Sequence, residues 1–285
     1  MVIKTGGLKV KVKATVLCEN YIINNNDAIS ENGLSILVET SNGNFLVDTG
    51  QGKTILHNAR VLNIDLCNIK GIVLSHHHFD HSGGLLDVLS ITGPIDIYAH
   101  PDIFKNSFHL KNGKEHYVGI PHSRSLLESK GGKFIFNKDF YEIAPQIYIT
   151  GEIPRKTSFE KGDENLVLKT PKGFVQDLLT DDQSLIIKTH KGLFIVLGCA
   201  HSGIINTIEY AIKGTGETRI NTIIGGTHLG PVSKEQQDES LRALKSYDID
   251  KIGVSHCTGL SMAMRLKNEF GDRFFFCNVG SVVNL

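Results

Sequence analysis

The chain has 285 residues, 40% of them hydrophobic, and balances 30 Lys and Arg against 30 Asp and Glu. That length and apolar content can bury a sizeable core, and the chain is read as a single domain spanning 1–285. Zero net charge excludes the broad basic footprint that nucleic acid or an acidic membrane recruits, so the expected partner is a small-molecule substrate, with no nucleic acid and no membrane.

Lys4, Lys9, Lys11 and Lys13 interrupt the apolar residues between Met1 and Leu17, leaving no unbroken signal-peptide core, and no later apolar run approaches a membrane span. A cytoplasmic protein is expected. The five cysteines, Cys18, Cys67, Cys199, Cys257 and Cys277, are odd in number and contain no C-x-x-C pair, which argues against a disulfide framework. Lys9 to Cys18 alternates Val10, Val12, Ala14 and Val16 with polar residues, the pattern of an amphipathic strand. Leu34 to Glu39 and Asn44 to Asp48 read as two more strands, joined through the turn signal Thr40-Ser41-Asn42-Gly43. Helical spacing of Ile55, Leu56, Ala59 and Leu62 predicts a helix within 51–62, and Ile69 to Ser75 reads as a buried strand.

That strand runs into Ser75-His76-His77-His78-Phe79-Asp80-His81-Ser82-Gly83-Gly84, and helical spacing resumes with Leu85, Leu86, Val88 and Leu89. In an extended chain His76 and His78 project to one side and His77 to the other. The turn then brings Asp80 and His81 round beside the first pair. The pattern His-x-His-x-Asp-His arises by chance roughly once in a thousand sequences of this length. Imidazole and carboxylate suit zinc, and the absence of thiolates within this run points to an open, catalytic metal site rather than a closed structural one.

Beyond a short strand at Ile95 to Ala99, the periodicity weakens from His100 to about Asp181, although Lys133 to Phe136 and Gln146 to Thr150 still read as strands. The aperiodic stretch at about 155–182 is expected to be a lid or insertion. His109, His116 and His122 lack ligand spacing and are read as solvated. Gln183 to Lys188 and Gly192 to Gly198 form a second apolar hairpin, which leads into Cys199-Ala200-His201-Ser202-Gly203 and a helix. The strand Ile220 to Ile224 ends in Gly225-Gly226-Thr227-His228, with a helix capped by Ser233 behind it. Lys251 to Ser255 ends in His256-Cys257-Thr258-Gly259, before a helix from Leu260 to Phe270. Four junctions from strand through turn to helix thus each deliver histidine, which places them on a common rim. Cys199 and Cys257 stand beside two of these histidines, and ligation by the histidines is favoured over thiolate.

The His-x-His-x-Asp-His motif at His76, His78, Asp80 and His81 resembles the second motif of the metallo-β-lactamase-fold superfamily. The resemblance implies an α/β protein with an αββα sandwich, two mixed β-sheets flanked by helices, and metal at one edge. It implies a first metal held by His76, His78 and His201 and a second by Asp80, His81 and His256. Phe45-Leu46-Val47-Asp48-Thr49-Gly50 is similar to the family's first motif. Asp48, otherwise an ordinary turn or cap residue, is then expected to orient a ligand through hydrogen bonding. Two divalent ions are expected, zinc first, with manganese or iron as alternatives. The two-metal hydrolases carry a bridging Asp where Ile224 to Leu229 has no acid, and His228 stands there instead. His228 is read as a contact to substrate or phosphate, with metal ligation and a structural turn role as alternatives.

The implied chemistry is attack by a metal-activated hydroxide on a small ester or phosphoester, with Asp80 and His228 as catalytic residues. A diiron flavoprotein branch of the fold generally has an acid at the position of His78, so the imidazole there favours hydrolysis. Thr150-Gly151-Glu152-Ile153-Pro154-Arg155, Asp182-Gln183 and the later histidine motifs together look most like a dihydropteroate-synthase-like subgroup. That subgroup implies an alternative, a pterin transferase joining a dihydropterin to a ribofuranosyl-aminobenzene phosphate. A metal-binding protein without catalysis is the third reading.

Overall fold

The computed structural model describes residues 10–23 and 27–285; Lys4 and Lys9, and with them the start of the N-terminal apolar stretch, lie outside the described residues. One seven-stranded sheet runs, in spatial order, through Val282–Asn284, Val12–Cys18, Ser35–Thr40, Gly43–Val47, Gly71–Val73, Ile95–Ala99 and Gly132–Phe136. A second runs through Phe274–Phe276, Ile249–Ser255, Ile220–Gly226, Gly192–Leu197, Leu185–Thr189, Ile147–Ile149 and Tyr141–Ala144. Both are mixed: Gly43–Val47, Gly71–Val73 and Ile95–Ala99 are parallel neighbours in the first, as are Gly192–Leu197, Ile220–Gly226 and Ile249–Ser255 in the second.

The period-2 alternation of a strand explains how both faces of each sheet are covered. In Ser35–Thr40, Ile36 and Val38 join Phe45, Val47, Leu185, Ile187, Phe194 and Val196 in a core formed from both sheets. Leu37, Leu46, Ile72 and Ile97 instead pack with Ile55, Leu85 and Val88 of the helices Ile55–Val61 and Leu85–Thr92. On the other side Ile195, Ile223 and Ile252 meet Ile204, Ile208, Leu241 and Leu266 of the helices Ile204–Thr215, Lys234–Leu244 and Gly259–Phe270. The layers are therefore helix, sheet, sheet, helix.

The helices differ from the sequence reading at two places. The first helix begins at Ile55 rather than Gln51, and the metal-motif turn contains a one-turn helix, Phe79–Ser82, before Leu85–Thr92. The expected Ser233 cap is present, its Oγ accepting from the Gln236 N–H at 3.2 Å.

The weakly periodic region holds more regular structure than its pattern indicates. Ser107–Lys111 and Lys114–Tyr117 form one hairpin, Leu166–Thr170 and Gly173–Gln176 another, and the two join edge to edge in a separate four-stranded antiparallel sheet. The stretch 155–182 thus contains an ordered hairpin. Lys114–Tyr117 and Gly173–Gln176 are exposed throughout, so no apolar alternation was required of them. The turn signal was nonetheless present, because Asn112 and Gly113 both adopt positive φ, 53° and 71°, the conformation that an Asn-Gly hairpin supplies.

Candidate metal centre

The ends of the parallel strands converge on one edge of the sandwich. Asp48 follows Gly43–Val47, the histidine run follows Gly71–Val73, Cys199 to His201 follow Gly192–Leu197, His228 follows Ile220–Gly226 and His256 follows Ile249–Ser255. Four of these turns pivot on non-glycine residues in the left-handed region: Asp48 (φ 57°), Ala200 (φ 54°), His228 (φ 50°) and His256 (φ 52°). Each such conformation costs about 1–3 kcal/mol and persists only where the surroundings hold it, a burden typical of functional sites. The ends of the two sheets also meet here, the Ser75 side chain lying directly against Gly198. A Cβ at Gly198 would lie 2.1 Å from Ser75 Oγ, so only glycine permits the approach.

Donor atoms of His76, His78 and His201 converge within 4.8 Å of one another, as do those of Asp80, His81 and His256. The hydrogen-bond network assigns the tautomers. Asp48 accepts from the Ser75 N–H (2.7 Å) and from Ser75 Oγ–H (2.6 Å), so Ser75 Oγ accepts from His76 Nδ1–H at 2.9 Å. His76 Nε2 is left as a lone pair, 3.0 Å from His78 Nδ1. His81 donates Nδ1–H to Asp48 Oδ2 at 2.6 Å, leaving its Nε2 3.2 Å from His256 Nε2. His256 in turn faces Asn20 Oδ1 through Nδ1 at 2.9 Å, and Asn20 Oδ1 is fixed as an acceptor by the Gly33 N–H. Two ring nitrogens this close need a proton or a cation between them. His201 is 4% exposed, and neither ring nitrogen has a partner. These buried, orphaned donors fit a divalent metal.

The electrostatics agree. Burial, reinforced by the neighbouring imidazoles, holds His76, His78 and His201 well below the ordinary histidine range, so they are neutral at pH 7 and available as ligands. Burial alone would raise the Asp80 carboxyl and lower His256. Their contact, Oδ2 to Nε2 at 3.4 Å, reverses both: Asp80 falls below the usual carboxylate range and His256 rises to about 9. A geometry that draws a proton this strongly also draws a metal cation.

His228 stands beside the first set. Its ring centroid is 4.0 Å from that of His201, both its ring nitrogens lack partners, and it shares a convergent group with Cys199 and His201. It also lines a cleft of about 290 Å³ with Lys161, Asn165 and Ser233. Cys199, for which histidine ligation was favoured, has its Sγ 3.1 Å from His81 Nε2, and burial pushes its thiol up.

His77 projects away from the donor groups, as the alternation predicts, and into an unforeseen buried network. Its main-chain N–H and Nδ1 both meet Asp181 Oδ2 at 2.8 Å, and Lys105 Nζ reaches Asp177 (2.7 Å) and Asp181 (2.6 Å). Burial would raise Asp181, but His77 and Lys105 hold it far below the usual range. His109 and His122 are half-buried and His116 is exposed. Supports absent from the sequence reading are Ser75, Asn20 and Glu19, whose Oε1 accepts from the His256 N–H at 2.7 Å. Asp182, quoted there only within a motif, accepts from the Ser202 N–H at 2.8 Å beside His201. No local signal marks the first three, because each acts through a contact distant in sequence or through its immediate neighbour's side chain.

A helix-sheet-sheet-helix sandwich with histidines and a carboxylate at the strand ends is the architecture of the metallo-β-lactamase fold. The metallo-beta-lactamase superfamily model matches residues 30–256, and the chain belongs to that superfamily. It is 36% identical over 284 residues to 7,8-dihydropterin-6-methyl-4-(beta-D-ribofuranosyl)-aminobenzene-5'-phosphate synthase of Methanocaldococcus jannaschii, a match covering 95% of this chain and 96% of that one. Among solved structures, Tm1679, a metal-dependent hydrolase of the beta-lactamase superfamily, has a TM-score of 0.82 at 26% identity and covers 96% of this chain and 99% of its own. Ribonuclease Z of Borreliella burgdorferi is 28% identical over 173 residues, 54% of this chain and 53% of that protein. The fold supports metal-dependent hydrolysis in general, and its members bind divalent metals, for which the donor groups here are suited. Among the described residues no helix is long and apolar enough to cross a membrane.

Proposed function

We propose that this protein is a cytoplasmic metallohydrolase acting on a small ester or phosphoester, with two divalent ions, zinc first, held by His76, His78 and His201 and by Asp80, His81 and His256. The observation that carries the reading is the pair of converging donor groups beside the cleft that His228 and Lys161 line. When bound, a divalent metal supplies Lewis acidity, polarising an acyl or phosphoryl oxygen and acidifying water.

The chain's own residues do the rest. Asp80, held in its charged form, accepts a hydrogen bond from the attacking water and so aims the water's lone pair at the electrophile. Asp48 keeps His81 in the tautomer that presents a lone pair, as Ser75 does for His76. His228 donates to the substrate oxygen or the leaving group from the mouth of the cleft, and Lys161 supplies positive charge for a phosphate. The stretch 155–182, which contains the hairpin Leu166–Gln176, is assigned as a lid or insertion within a single domain.

A second reading, transfer of a dihydropterin to a ribofuranosyl-aminobenzene phosphate, is favoured by the 36% identity to the Methanocaldococcus jannaschii synthase across nearly the whole of both chains. One set of assays separates the readings. Elemental analysis of protein purified without chelator is expected to give up to two zinc, manganese or iron ions per chain, and zinc- or manganese-loaded protein is expected to turn over generic phosphodiesters. No phosphodiester turnover together with consumption of a dihydropterin diphosphate supports the transferase. Metal content near zero that added metal does not restore overturns both, and bound metal with neither activity leaves the non-catalytic reading.

A further inference from the structure

The turn Gly225-Gly226-Thr227-His228 carries no carboxylate, yet the space between the two donor groups is not empty of anionic chemistry. Cys199 is 3% exposed, and its Sγ converges with His76 and His81 in one group and with His201 and His228 in another. It thus reaches ligands of both halves of the centre. The left-handed Ala200 turns the chain so that Cys199 and His201 both face inward, and the absent side chain of Gly198 lets this turn approach Ser75. His81 Nε2, 3.1 Å from Sγ, is a lone pair because its Nδ1 proton is held by Asp48. The two unpartnered, buried ring nitrogens of His201 point independently to a ligand at the same place.

We infer that Cys199 is a metal ligand, its thiolate occupying the position between the two halves of the centre that a bridging carboxylate would otherwise take. The assignment rests on the metal-centre reading above. Charge supports it: five imidazoles and the Asp80 carboxylate leave two divalent ions with three uncompensated positive charges within their donor set, and burying charge without compensation is costly. A thiolate removes one. On metal binding the S–H bond breaks, its proton passes to solvent, and the sulfur lone pair forms the bond to the metal. Cys257 is the natural control. Its Sγ accepts from the His228 N–H at 3.2 Å and lies 3.6 Å from the Cys199 carbonyl oxygen, but it belongs to neither convergent group.

Zinc X-ray absorption on the full-length, zinc-loaded protein tests this. The expected spectrum contains a sulfur scatterer at about 2.3 Å beside nitrogen and oxygen at about 2.0–2.2 Å. The sulfur contribution should vanish in Cys199→Ser and persist in Cys257→Ser. The cobalt-loaded proteins should show the same split in their sulfur-to-metal charge-transfer absorption. If Cys199→Ser fails to fold, sulfur retained in Cys257→Ser still identifies Cys199. Zinc bound through nitrogen and oxygen alone overturns the assignment and leaves the metallohydrolase standing, and so does loss of sulfur in Cys257→Ser but not in Cys199→Ser. A protein that takes up no metal overturns both.

Discussion

Replacing Asp48 by Asn tests whether the buried carboxylate works by setting tautomers. Asp48 is fully buried and accepts three bonds, from the Ser75 N–H at 2.7 Å, from Ser75 Oγ–H at 2.6 Å and from His81 Nδ1–H at 2.6 Å. Asn keeps the first through its carbonyl oxygen, but its amide nitrogen offers two hydrogens where Oδ2 accepted two. Ser75 Oγ and His81 Nδ1 must then become acceptors. Ser75 Oγ–H turns to His76 Nδ1, and His76 and His81 both place a proton on Nε2, where each should offer a lone pair. Every polar atom retains a partner, so folding stability falls only by the difference between charge-assisted and neutral bonds, about 1–3 kcal/mol over the three. Metal binding suffers more. Loss of one supporting partner typically costs 10–100-fold in affinity, and here two ligands change, giving about 100-fold or more. Chelator competition measures the affinity, urea unfolding of the metal-free protein measures the stability, and nitrogen-15 shifts of His81 report the tautomer. A folded variant whose metal affinity stays within about threefold of the parent would refute the tautomer argument.

Asp80→Asn keeps the shape and loses the charge, and should cost at least about a hundredfold in turnover while the fold survives; unchanged kinetics in a metal-loaded variant would remove Asp80 from the mechanism. His228→Ala should lower kcat/KM with metal stoichiometry intact. A metal loss that tracks the activity loss would make His228 a ligand, and no change in either would return it to the turn residues. Burial raises Asp182 to about 6, against the opposing pull of its bond to Ser202. An acid raised in the fold contributes stability below its unfolded value of about 3.9 and loses it as pH rises through about 6. In metal-free protein Asp182→Asn should therefore match the parent near pH 4 and exceed it above pH 6, by at most about 3 kcal/mol. Urea unfolding across that range checks it, and a stability difference that does not vary with pH would contradict the shifted acid.

Strands buried on both faces announce themselves locally, because a run such as Ile72-Val73-Leu74 has nowhere to be except inside, and the turns that follow are short enough to carry their histidines as recognisable motifs. For that reason His76, His78, Asp80, His81, His201 and His256 could be singled out from residue order, whereas Asp48 at its strand end read as an ordinary turn or cap residue until the family likeness gave it a supporting role. Their pairing into two groups was implied only by family likeness and becomes visible only where the turns meet. The outer strands Lys114–Tyr117 and Gly173–Gln176 of the two hairpins left almost no apolar pattern, since strands facing water need none. His77 shows the same limit from the other side. The alternation that excludes it from the donor groups cannot say that Asp181, 104 residues away, receives it in the interior. Nor could residue order place the Cys199 sulfur 3.1 Å from a histidine 118 positions earlier in the chain. Local periodicity is a property of neighbours along the chain, whereas those contacts exist because two sheets close face to face and bring their strand ends to one edge.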